Sequence, residues 1–115
     1  MNTYLFRTRG IDNSYYPDKE DKYAFNEDAP NCNKLIDDIK TNSSGIKYYL
    51  YLIPTGEIVE KGIVNNCTSK NNMYYAIYEE REPLKPSKKL PKWPSPEKGI
   101  IPLSKEEIKE IENSI

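Results

Sequence analysis

Apolar positions along the chain fall into short alternating runs, interrupted by two helical stripes. Residues 3–9 (TYLFRTR) are rich in β-formers and closed by Gly10, which predicts a short strand. Residues 11–28 are polar and acidic, contain Pro17, and read as a long loop. A helix follows over 29–40. Asp28 is placed to cap it, Pro30 is tolerated in its first turn, and Cys32, Leu35, Ile36 and Ile39 recur at i, i+3, i+4 and i+7. Thr41-Asn42-Ser43-Ser44-Gly45 ends it.

The stretch KYYLYLIPTGEIVEKGIV, residues 47–64, reads as a hairpin with strands at 46–53 and 57–64 joined by Pro54-Thr55-Gly56. An unbroken register sets Tyr49 opposite Lys61, Tyr51 opposite Val59 and Ile53 opposite Glu57, and residues opposite one another share a face. One face then carries Ile46, Tyr48, Leu50, Leu52, Ile58 and Val64, interrupted by Glu60 and Gly62. The other carries Lys47, Tyr49, Tyr51, Ile53, Glu57, Val59, Lys61 and Ile63. A strand at 73–80 (MYYAIYEE) continues the meander and is again apolar on both sides, with Tyr74 and Tyr78 together on one of them.

Six prolines between 83 and 102 disfavour helix and central strand and predict an extended, basic arm that contains Trp93. The helix at 104–114 is marked by a Ser104–Glu107 capping box, a Leu103–Ile108 staple and an apolar line of Ile108, Ile111 and Ile115. The expected architecture is therefore a single domain over 1–115. It is α+β, with a three- to four-stranded antiparallel sheet in the order β-α-β-β-β-arm-α, helices on one face and the proline-rich arm.

Composition narrows the function. The 17 basic and 18 acidic side chains nearly cancel, so no global field draws the chain to nucleic acid or an anionic membrane. No apolar run is long enough for a membrane span. MNTYLFRTRG has no signal-type apolar core, and the two cysteines have no framework spacing, so a cytoplasmic setting is expected. Lys, Ile, Asn and Tyr, all with AT-rich codons, are abundant, so part of the tyrosine and lysine excess is attributable to coding bias.

The absence of histidine excludes serine–histidine and cysteine–histidine nucleophile pairs and histidine-ligated metals. No dinucleotide, P-loop or CxxC motif occurs, and no cofactor or metal is expected. Asp37-Asp38 and Glu79-Glu80-Glu82 read as solvated rims rather than catalytic pairs. The order helix, three antiparallel strands, helix also occurs in double-stranded-RNA-binding domains. Here, however, the last helix opens Ser104-Lys105-Glu106-Glu107 instead of with a lysine-rich turn, and no family is identified.

What is left is a surface of aromatic and basic side chains: Lys47, Tyr49, Tyr51, Lys61, Tyr74, Tyr78, Lys88, Lys89, Lys92 and Trp93. Its cover is the folded-back arm, a second copy in a homodimer, or a foreign partner. The expectation is a small non-enzymatic binding or inhibitor protein of the anti-defence or immunity type found on phages and mobile elements, with a protein or nucleotide-like partner. The alternative is a nucleic-acid-binding module that uses the basic arm and the tyrosine-rich sheet face.

Overall fold

The computed structural model describes residues 2–19, 21–90 and 99–114. Its elements are β1 (Tyr4–Thr8), β2 (Lys22–Asn26), α1 (Cys32–Thr41), β3 (Ile46–Leu52), β4 (Glu57–Lys70), β5 (Met73–Lys89), β6 (Ile100–Pro102) and α2 (Lys105–Ser114), with a 3-10 turn at Pro17–Lys19. The strands form one six-stranded sheet in the order β2-β5-β4-β3-β1-β6. The β1–β3 pair is parallel, as a connection that runs through α1 allows, and the other pairs are antiparallel.

The sheet is mixed and curled, which corrects the expected three- to four-stranded antiparallel sheet with its free-standing arm. Bulges in the long β4–β5 ladder, between Ile58 and Glu60, Ile63 and Val64, and Val64 and Asn66, bend the strands. The curl brings edge strand β2 back to β1. Tyr23 donates its hydroxyl to the Arg7 carbonyl at 2.8 Å and stacks its ring on Phe6 at 4.3 Å.

Both faces of the sheet are covered, by different helices. Tyr4, Phe6, Tyr48, Leu50 and Leu52 point into the curl and meet Cys32, Leu35, Ile36 and Ile39 of α1. Leu5, Tyr49, Tyr51, Ile58 and Ile101 point outward and meet Leu103, Ile108 and Ile111 of and beside α2. The strict alternation of 4, 5, 6 and of 48 to 52 between two cores explains why β3 has no polar side. The helices therefore do not share a face, as the pattern had suggested.

Three further expectations are corrected. Part of the supposed arm, with Pro83 and Pro86, belongs to β5. Strand β2 pairs with β5 only along Met73–Ile77, so beyond Tyr78 β5 is an edge strand, where a missing N–H costs little. Within the supposed loop, Lys22–Asn26 form β2, with Tyr23 and Phe25 buried between exposed neighbours. Helix α1 starts after Asn31, whose φ of 65° is left-handed. Its side chain makes no cap bond and instead donates to the Ile100 carbonyl at 3.0 Å. Asp28 lies in the preceding turn, its amide bonded to Asn26 Oδ1 at 2.9 Å.

In the hairpin, Tyr49 does lie opposite Lys61, but an extra residue follows. Ile58 rather than Val59 faces Tyr51 and joins the outer core, while Val59 turns inward. The capping box on α2 is formed: Glu107 N–H donates to Ser104 Oγ at 3.1 Å and Ser104 N–H to Glu107 Oε1 at 2.8 Å.

Candidate functional site

Two polar constellations stand out, one inside the curl and one outside. Inside, Glu60 of β4 is fully buried. Tyr15 donates to its Oε1 at 2.5 Å and Tyr48 to its Oε2. The Arg81 guanidinium donates through Nε at 3.1 and 3.0 Å and through Nη2 at 2.8 Å. A further Arg81 N–H reaches the Pro17 carbonyl, and the guanidinium lies 4.1 Å from the centre of the Tyr78 ring. Burial first, and the Glu60 carboxylate next, push the Tyr15 and Tyr48 hydroxyls far above the ordinary phenol range. Burial alone would lower the Arg81 pKa; its bonds to Glu60 outweigh that and raise it.

The cluster fastens the 11–19 segment across the inner face. A cavity of about 20 Å³ beside it, bounded by Tyr15, Tyr23, Tyr78 and Arg81, has room for little more than one water molecule. A carboxylate held by this many donors and sealed from solvent is arranged to hold structure.

Outside, the strand register lays charges out in rows. Lys47, Ile63 and Glu80 lie opposite one another on β3, β4 and β5, and the next row is Tyr49, Lys61 and Glu82. These rows border a cleft of about 190 Å³, walled on one side by Glu112 of α2, which accepts the Tyr49 hydroxyl. A second depression of about 400 Å³, bounded by Glu82, Leu84, Lys85, Pro86 and Lys88, shares Lys61 with the first. The Lys61–Glu82 pair at 3.6 Å is partly exposed and so weak. Gly62 lies in the cleft wall because β4 and β5 approach too closely there for a side chain. A Cβ would stand 2.0 Å from the Glu80 carbonyl oxygen and 2.8 Å from the Tyr48 hydroxyl.

Of the residues singled out in the sequence, the fold brings Lys47, Tyr49 and Lys61 to the first cleft and Lys88 to the second. Lys89 is exposed on β5 opposite Glu57. Tyr51 is buried beneath α2. Tyr74 and Tyr78 are on the inner face: Tyr74 stacks on Phe25 at 5.8 Å, and Tyr78 packs on Tyr48 and Arg81. Lys92 and Trp93 lie outside the described residues.

Glu80, Glu82, Lys85 and Glu112 were not foreseen as parts of this surface. Glu80 and Glu82 looked like a solvated strand end, and Glu112 reaches the cleft only through the docking of α2. Elsewhere, Asp38 accepts from Tyr4 at 2.6 Å and from Asn2 at 2.9 Å, which ties α1 to the sheet. Burial raises the Cys32 and Cys67 thiol pKa values, which leaves neither an activated thiolate. Among the described residues no cluster of acidic or cysteine side chains is arranged to hold a metal, and no helix is long and apolar enough to cross a membrane. No family model, curated protein or solved structure matches the chain.

Proposed function

We propose that this chain is a small non-enzymatic binding protein that engages another protein through the outer face of its sheet. The observation that carries this reading is the pair of adjoining clefts joined at Lys61, in which lysines alternate with carboxylates over an apolar floor. Alternating charge around an apolar centre is the composition of a protein contact. It suits a polyphosphate poorly, because Glu80, Glu82 and Glu112 would repel what Lys47, Lys61, Lys85 and Lys88 attract.

Base stacking needs open aromatic faces. Tyr74 and Tyr78 are engaged with Phe25, Tyr48 and Arg81, which counts against the nucleic-acid alternative. The Glu60 carboxylate, taken up by its own donors on the inner face, plays no part in this contact.

The test places a photo-crosslinking side chain at Lys61 and, as a control, at Asn71 in the distant β4–β5 turn, in cells that naturally contain the protein. A protein adduct formed from position 61 and not from 71 is the expected result. Adducts that disappear on nuclease treatment, or no position-dependent adduct at all, would overturn the reading.

A further inference from the structure

We infer that the free edge of β2 takes up an extended, basic-ended segment of another protein as an added strand. This site is separate from the outer-face clefts and does not rest on them. Tyr78 N–H donates to the Asp21 carbonyl at 3.0 Å and Glu27 N–H to the Asn72 carbonyl at 3.2 Å. Both pairs continue the β2–β5 register, so Asp21, Tyr23, Phe25 and Glu27 turn their backbone groups to β5. Lys22, Ala24 and Asn26 then turn theirs away. The Asn26 carbonyl accepts the Ala29 amide at 2.9 Å, but Lys22 and Ala24, both exposed, have no such backbone partner among the described residues.

The other edges are blunted. In β6, Gly99 and Leu103 bond to β1, so Ile100 and Pro102 face outward. There the Ile100 carbonyl is taken by the Asn31 side chain at 3.0 Å, and Pro102 has no N–H. The outer edge of β5 beyond Tyr78 carries Pro83 and Pro86. Only β2 presents donors and acceptors at strand spacing, and they match an extended backbone. Beside this edge is an open depression of about 330 Å³, bounded by Tyr23, Ala24, Phe25, Ala29, Pro30 and Gly99. It has room for a large apolar side chain of an incoming strand.

Charge and register select the occupant. Asp21 flanks the edge at one end and Glu27 and Asp28 at the other, all three exposed and outside the ion pairs found among the described residues. The Lys22 ammonium is drawn onto the Tyr75 ring, 4.8 Å from its centre, on the β5 side. An apolar strand with basic ends therefore complements the site. A second copy fits it poorly. Antiparallel pairing of β2 with itself about Ala24 sets Lys22 against Asn26, whose carbonyl is already taken.

The experiment titrates the full chain with acetyl-Lys-Val-Thr-Leu-Thr-Val-Lys-amide and follows backbone amides by NMR. In the free protein the Ala24 amide should exchange at least about a hundredfold faster than those of Tyr23 and Phe25. The peptide is expected to bind with a Kd of about 1 mM or below and to shift and protect the Lys22 and Ala24 amides. Ala24→Pro removes an outward N–H and leaves the bonds to β5, so it should keep its circular dichroism spectrum and raise the Kd at least about tenfold. Lys22→Pro, at the other outward position, serves if Ala24→Pro does not fold. Glutamate in place of both peptide lysines should weaken binding at least about fivefold at low salt.

An Ala24 amide as protected as that of Tyr23 in the free protein would mean that the edge is already taken, and would overturn the inference. So would peptide shifts that bypass Lys22 and Ala24, proline variants that bind like wild type, or equal binding of the two peptides. Shifts at Lys22 and Ala24 that grow with protein concentration alone would make a second copy the occupant and overturn it as well.

Discussion

Arg81→Ala asks most directly what the buried cluster contributes. The substitution removes the guanidinium contacts at 3.1, 3.0 and 2.8 Å from a carboxylate whose side chain is wholly buried, leaving Tyr15 and Tyr48 as its remaining donors. Stripping one partner from a buried ion pair costs about 3–5 kcal/mol. The Arg81 side chain retains 16% of its exposure, so water can enter the vacated space, and the lower end, about 3 kcal/mol, applies. A domain of this length is stable by roughly 6–17 kcal/mol, so the loss is a large fraction of the whole. In thermal terms it corresponds to a fall in Tm of roughly 12 °C.

Urea unfolding followed by circular dichroism and calorimetry measures both quantities. Two companions separate this cause from general damage. The double variant Glu60→Met with Arg81→Met removes charge and countercharge together and should lie closer to wild type than Arg81→Ala does. Hydrogen exchange should quicken at Ile11 and Ser14, whose amides bond each other's carbonyls at 2.9 Å in the segment the cluster fastens, while α2 stays protected. An Arg81→Ala cost below about 1 kcal/mol, or a double variant as costly as the two single changes added, would refute the reasoning.

Gly62→Ala drives a methyl group into the Glu80 carbonyl oxygen, a backbone atom that cannot swing aside, and should cost about 1–3 kcal/mol in the same urea experiment. Ser104→Ala removes the acceptor for the Glu107 amide and should cost about 1 kcal/mol, with the first turn of α2 exchanging faster. The Tyr4, Tyr15, Tyr23 and Tyr48 hydroxyls are raised above the ordinary value of 10.0, chiefly by burial. A folded pKa above the unfolded one gives stability that is complete below pH 10 and is lost as the pH rises beyond it. Their phenolate absorbance near 295 nm should therefore appear only together with loss of the circular dichroism signal. Reversible ionisation of all tyrosines around pH 10 in a folded protein would contradict that.

What was legible in the sequence is what is local. The apolar stripes of α1 and α2, the capping box and the Tyr49–Lys61 pairing each depend on residues close along the chain. Strand β2 escaped because only Tyr23 and Phe25 mark it within an acidic stretch, and its stability comes from β5 and from the Phe6 ring. The parallel β1–β3 pairing has no local signature. A single inserted residue at Val59 moves Ile58 to the opposite core, which a period-two reading cannot anticipate. Pro83 and Pro86 pointed away from a strand because the rule against proline applies to central strands, and β5 becomes an edge beyond the end of β2.

The same distinction decides which residues can report on binding. Lys47, Tyr49 and Lys61 meet in a cleft because they share one face of a local hairpin, whereas the bulges between Ile63 and Asn66 put Tyr74 and Tyr78 on the other face. The aromatic excess that suggested a sticky surface is largely spent on the two cores: Tyr4, Tyr23 and Tyr48 inside, Tyr49 and Tyr51 beneath α2. A Tyr51→Ala variant would consequently lose stability before it lost any partner, and its failure to bind would say nothing about the surface. Lys47, Lys61 and Glu80 are the informative positions. Their side chains contribute little to either core, so a change in association on reversing their charge reports on the contact itself.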